Sequence, residues 1–171
     1  MKRIATVLLL LVSLNSANVL AQTRSRRSTP ARRSTSATAA SQAEHAGAQR
    51  VADQIKVLTK FIYLLGGVAK GIETVDDAAR RNEASPAIVE QTAKSKTSVR
   101  ASIQSVREGL DKLEIDFRAT PELQRYYIKL AGVAAGAATA EDLAAANQFD
   151  KAGRTLLEVV NRLTDVLLEM Q

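Results

Sequence analysis

The side chains able to do bond-making chemistry in this 171-residue chain are few, and they are poorly spaced for it. There is one histidine, His45, and no cysteine. A serine or cysteine nucleophile therefore has no base from the body of the chain to activate it. Disulfides, thiolate metal sites and thioether-linked haem are excluded by the same inventory. Acid pairs occur at Asp76-Asp77, Glu114 with Asp116, and Glu141-Asp142. Adjacent helical residues diverge by about 100°, and most of these acids have a basic neighbour four residues away, so they read as surface ion pairs. A di-iron site needs Glu-x-x-His motifs on facing helices and a b-type haem needs an axial imidazole. His45 stands before the first expected core position, and Met170 falls in an apolar stripe. No cofactor and no metal is expected. Gly66-Gly67-x-x-x-Gly71 lacks the Lys-Ser/Thr that ends a phosphate loop. The sequence predicts a non-enzymatic protein and names no specific activity.

What remains is recognition chemistry. Residues 22–42, QTRSRRSTPARRSTSATAASQ, carry Arg24, Arg26, Arg27, Arg32 and Arg33 with no acid and no large apolar side chain. Such a segment has little to bury against its ordering entropy and reads as a disordered linker. Its arginines could contact lipid headgroups, lipopolysaccharide or a cell-wall polymer. Without an aromatic residue it offers no stacking platform, and nucleic acid is not an expected partner. A second set, Lys56, Lys60, Tyr63 and Lys70, shares one face of a helix and suits an anionic partner with a tyrosine anchor. Tyr126 and Tyr127 divide the same way: one enters the core, and Tyr127 is the candidate partner contact.

The elements that position these residues follow from pattern. Lys2 and Arg3 precede an apolar stretch from Ile4 to Leu14 and small residues before Ala21, the three-part arrangement of a secretory signal peptide. Polar residues from Ser13 onward interrupt the run well short of the roughly 20 residues a bilayer span needs. Cleavage after Ala21 is the expectation, with an uncleaved amino-terminal anchor as the alternative. No cysteine follows the run, so no lipid anchor can be attached there. The mature chain is expected to lack a transmembrane span and to reside in the periplasm or outside the cell.

Residues 43–171 form the expected folded domain. Seven of the 24 basic residues lie in the leader and the arginine-rich run, leaving 17 against 18 acidic ones. The body is close to neutral, so the basic balance belongs to the run.

Ser85-Pro86 and Thr120-Pro121 mark two helix starts. Apolar residues then recur at three- and four-residue spacing: Val51, Ile55, Leu58, Ile62, Leu65, Ala69 and Ile72; Val99 to Phe117; Leu123 to Ala137; and Phe149, Leu156, Val160, Leu163, Leu167 and Met170. No period-two alternation appears. Acid-to-base pairs at i,i+4, such as Asp76-Arg80, Glu90-Lys94, Glu114-Arg118 and Asp150-Arg154, mark wet faces. An all-α, antiparallel up-down-up-down four-helix bundle with near-coiled-coil packing follows. Its third helix ends near Asn147, with Thr139 as the alternative. Leu130 to Ala146, rich in Ala and Gly, reads as a tightly packed flank or as a groove for a partner helix. Gly66-Gly67 reads as a weakened or bent point.

The functional expectation is an exported, non-catalytic helical protein acting through contacts with an unknown envelope protein. A basic-tail binder of anionic surfaces and a helical chaperone or adaptor are the alternatives. A homo-oligomer is left open.

Overall fold

The computed structural model describes residues 31–171, with side chains from residue 37 onward. The described residues are helical and contain no strand: α1 (Ala31–Arg80), α2 (Pro86–Ala119), a 3-10 turn (Pro121–Leu123), α3 (Gln124–Leu130), α4 (Val133–Ala145) and α5 (Phe149–Glu169). The proposed signal peptide, residues 1–21, lies outside them.

The start of α1 corrects one expectation. Residues 31–42, read from sequence as part of a disordered linker, belong to a helix of 50 residues. Alanines at 31, 37, 39, 40 and 43 have the highest helix propensity. Extending a helix already held by packing needs no new nucleus, so α1 propagates back through them.

Ser85 caps α2, its hydroxyl accepting from the Ile88 N–H at 3.4 Å, with Pro86 in the first turn. Thr120-Pro121 behaves differently. It opens the short 3-10 turn, with no side-chain cap from Thr120. Asn82 and Asn147, at φ 59° and 60°, end α1 and α4. In each case the following N–H reaches back five residues, Glu83 to Ala78 and Gln148 to Leu143, both at 2.8 Å. This is the Schellman arrangement, in which the left-handed residue satisfies the last carbonyls. The break at Asn147 is the favoured one; Thr139 lies inside α4. A further break, at Ala131-Gly132, interrupts the expected third helix, and Gly132 at φ 94° supplies a conformation glycine adopts without penalty.

The core is built from the expected stripes. Val51, Leu58, Leu65 and Ile72 of α1, Val99 to Phe117 of α2, and Leu123, Tyr126, Leu130, Val133 and Ala137 are buried. On α5 the buried row runs Phe149, Ala152, Leu156, Val159, Leu163 and Val166, with Val160 and Leu167 at its margin. Thr92 is the one buried polar residue among those described. No buried side-chain nitrogen or oxygen among them lacks a partner, as stable interiors require. α1 packs on α2 and α5, and α4 packs on the same two helices. Small residues permit the last contact: Ala134, Ala137, Ala140 and Ala144 are buried, and a Cβ on Gly136 would stand 2.7 Å from the Val159 Cγ2.

α1 is helical through both Gly66 and Gly67. A Cβ at Gly66, Gly67 or Gly71 would meet nothing within 4 Å. Alanine at each of these positions is therefore expected to stabilise the protein by about 1 kcal/mol, the helix-propensity difference. Urea unfolding of the three single variants measures it, and an unchanged midpoint would remove this reading of the site.

Candidate interaction surface

α1 brings the lysine face together as its spacing implies. Lys56, Lys60, Tyr63 and Lys70 are all exposed, Tyr63 at 83%. A ring this exposed contributes nothing to the core and remains available as a contact. Lys56 donates to Asp53 at 3.2 Å and Lys70 to Glu73 at 3.4 Å. The Gln49 amide, followed by Lys56, holds the Asp53 carboxyl below its ordinary range, because both favour its charged form. Arg32 and Arg33 lie in the first turn of α1, with side chains beyond those described; Arg24, Arg26 and Arg27 lie outside the described residues.

Tyr126 is the tyrosine that enters the core, with its hydroxyl bonded by Arg125, whose guanidinium also stacks 4.6 Å from the ring centre. Tyr127 is half-buried against the core and presents only part of its ring.

Lys70 borders an open cleft of about 640 Å³ where α1 passes the turn between α4 and α5. Glu73, Asp76, Arg80, Asp150 and Lys151 line it as well. Its charges are of both signs, and Asp76 is engaged by Lys96 of α2 through both oxygens at 2.8 Å. The cleft concentrates no single charge that would select a ligand. Among the described residues no group of three acids or imidazoles is placed to hold a metal ion, and no helix is long and apolar enough to cross a membrane.

A feature absent from the sequence reading lies beside the lysine face. Val57, Leu64 and Val68 are exposed and Phe61 is half-buried, and their spacing of four, three and four residues aligns them as one ridge. On α2 the positions 98, 102, 105 and 109 repeat that spacing with Ser, Ser, Ser and Gly. Arg50 and Asp116 form an ion pair at 3.0 Å between the two antiparallel helices. Counted from that pair, Val57 is level with Gly109, Phe61 with Ser105, Leu64 with Ser102 and Val68 with Ser98. A large residue on α1 is thus matched in height by a small one on α2 at four successive steps. The hydroxyls of Ser102 and Ser105 bond back to the carbonyls of Ser98 and Ala101 at 2.9 and 3.1 Å, so a neighbour covering them strands no donor. The second 4-3-4 series was legible in the sequence as a stripe offset from the core row.

No protein-family model matches the chain, and neither does a curated protein nor a solved structure.

Proposed function

We propose that the chain is an exported, non-catalytic helical protein that acts through protein–protein contacts made by the outer face of α1, in the cell envelope or outside the cell. In this reading α1, α2, the α3–α4 arm and α5 close into an antiparallel up-down-up-down four-helix bundle. The order of neighbours supports that closure, since α1 and α4 each pack on both α2 and α5. The observation that carries the functional reading is the grouping on one rigid helix of an 83% exposed tyrosine, an apolar ridge and three exposed lysines. Aromatic side chains held on a rigid element lose little entropy on binding and are enriched at contact centres. The apolar leader with Lys2 and Arg3 ahead of it supports export.

A photo-crosslinking residue placed at Tyr63 is expected to capture a discrete protein in intact cells, whereas the same residue at Ile128, 81% exposed on α3, should capture none. Amino-terminal sequencing of the captured chain should begin at Gln22. Equal capture from both positions, or a chain retaining Met1 in the cytoplasm, would defeat the proposal.

The continuity of α1 favours a second reading. Because the helix reaches Ala31, Arg32 and Arg33 ride on the same rod as the bundle and would present a basic arm to anionic lipid, lipopolysaccharide or a cell-wall polymer. Salt-sensitive flotation with phosphatidylglycerol vesicles that disappears on deleting residues 22–42, while the Tyr63 crosslink is lost with it, would favour this reading over the first.

A further inference from the structure

We infer that the α1–α2 face binds a second copy of this chain, with the apolar ridge of each copy seated on the serine and glycine row of the other. This deepens the protein-contact reading above by naming one partner, and it rests on that reading only for the availability of the face.

A ridge needs a trough, and this face carries both at matched heights. A two-fold axis parallel to the helices preserves height while exchanging left for right, so α1 of one copy lies over α2 of its partner. Leu64 of each copy then meets the level of Ser102 on the other, and Phe61 meets that of Ser105, twice over. An isologous contact requires this self-complementarity. Stacking ridge on ridge would instead set large side chains against each other and leave both rows of small residues uncovered.

Charge agrees with the same pairing. Outside the ridge, α1 carries Asp53 and Lys60; outside the serine row, α2 carries Lys112 and Glu108. In the register set by Arg50 and Asp116, Asp53 stands within a residue of Lys112 in height, and Lys60 within two residues of Glu108. Opposite signs therefore meet at both levels across the two-fold. Lys60 and Lys112 have no ion-pair partner of their own among the described residues, which leaves them available.

The matched steps from Val57 to Val68 span about 17 Å along helices each about 10 Å wide. Two helices over that length cover on the order of 300 Å² a side, below the roughly 800 Å² of a standard interface. The dimer should accordingly be weak and dependent on concentration.

The absence of cysteine makes the test clean. Leu64→Cys and Ser102→Cys are made in separate full chains, mixed at about 100 µM, where an interface of modest affinity is populated, and oxidised. Disulfide-linked heterodimer is expected in large excess over the Leu64→Cys homodimer. Sedimentation of the unaltered chain should show reversible dimer at the same concentration, and Leu64→Lys should abolish it while leaving the helical circular dichroism unchanged; Leu64 is exposed, so the variant folds. A chain that stays monomeric, or that crosslinks mainly through Leu64→Cys to itself, overturns the pairing. A monomer whose Tyr63 crosslink to another protein is lost with Leu64→Lys would also overturn it, while leaving the protein-contact reading intact.

Discussion

Replacing Glu114 with alanine should destabilise the protein by about 3 kcal/mol, although the residue belongs neither to the core nor to the outer face of α1. Its carboxylate oxygen on α2 accepts from the backbone N–H groups of Gly132 at 3.0 Å and Ala134 at 2.9 Å. These are donors at the start of α4, whose N-cap Gly132 has no side chain to satisfy them. Hydrogen bonds to a charged group contribute about 1.5–3 kcal/mol, and an anion at a helix amino terminus adds up to about 1 kcal/mol. At the other end Arg100 of α2 donates to the carbonyls of Ala144 and Ala145 and to the Asn147 side chain, each at 3.1 Å. Thus α2 caps both ends of α4 with charges of the sign each end prefers. Between them Arg107 bonds Glu141 at 2.6 Å, and that bond raises the guanidinium further above its ordinary value. Glu114→Ala should therefore loosen α4 before the rest of the chain. Hydrogen exchange is expected to quicken across Val133–Ala145 while α1 and most of α2 stay protected. A loss below about 0.5 kcal/mol in urea unfolding, with exchange unchanged, would show that α4 does not depend on this cap.

The Glu114 case shows where sequence reasoning stops. From sequence Glu114 pairs with Arg118 four residues on, and Asp76 with Arg80. Those geometries are available in any helix and are worth about 0.2–0.5 kcal/mol. In the folded chain Glu114 turns to α4 and Asp76 to Lys96 of α2, because a partner on a neighbouring helix satisfies more of the carboxylate. Which helix neighbours which is a tertiary fact that no local pattern carries. By contrast, Glu90-Lys94 and Asp150-Arg154, whose side chains are mostly exposed, pair as read, at 2.7 and 2.9 Å. The α2 stripe and the Asn147 stop were legible because burial and backbone sterics act within one turn. Gly132 was not, because glycine inside an alanine-rich run is equally compatible with a continued helix until its φ of 94° is known.

The candidate surface divides along the same line. Lys56, Lys60 and Tyr63 were legible because exposed charge at helical spacing needs no partner to be recognised. The ridge was missed because it lies only about 100° around α1 from the core row, and Phe61 belongs partly to each. Its meaning came from a different helix, through the serine row at matched height. Tyr127 was placed on the surface by exclusion from the core, and its half-buried position comes from packing against the core beside Tyr126, while Ile128 next to it is the fully solvated position of α3.

Glycine provides the sharpest test of this division, since the same substitution should change sign with position. Alanine at Gly66 gains the helix-propensity difference because nothing stands within 4 Å of the added carbon. Alanine at Gly136 gains the same preference of about 1 kcal/mol, but its methyl would sit 2.7 Å from the Val159 Cγ2. Val159 is buried, and a β-branched side chain in a helix has one strongly preferred rotamer, so the clash is relieved only by moving α4 away from α5. Overpacking of this kind costs about 1–3 kcal/mol, and it should outweigh the propensity gain. Gly136→Ala is expected to lose about 1–2 kcal/mol net, measured by urea unfolding. Adding Val159→Ala removes the obstructing methyl, so the double variant should be more stable than the sum of the single losses implies, a favourable coupling of about 1 kcal/mol. If Gly136→Ala instead stabilises the protein as Gly66→Ala does, α4 and α5 do not approach closely enough for the small-residue face of α4 to define the core.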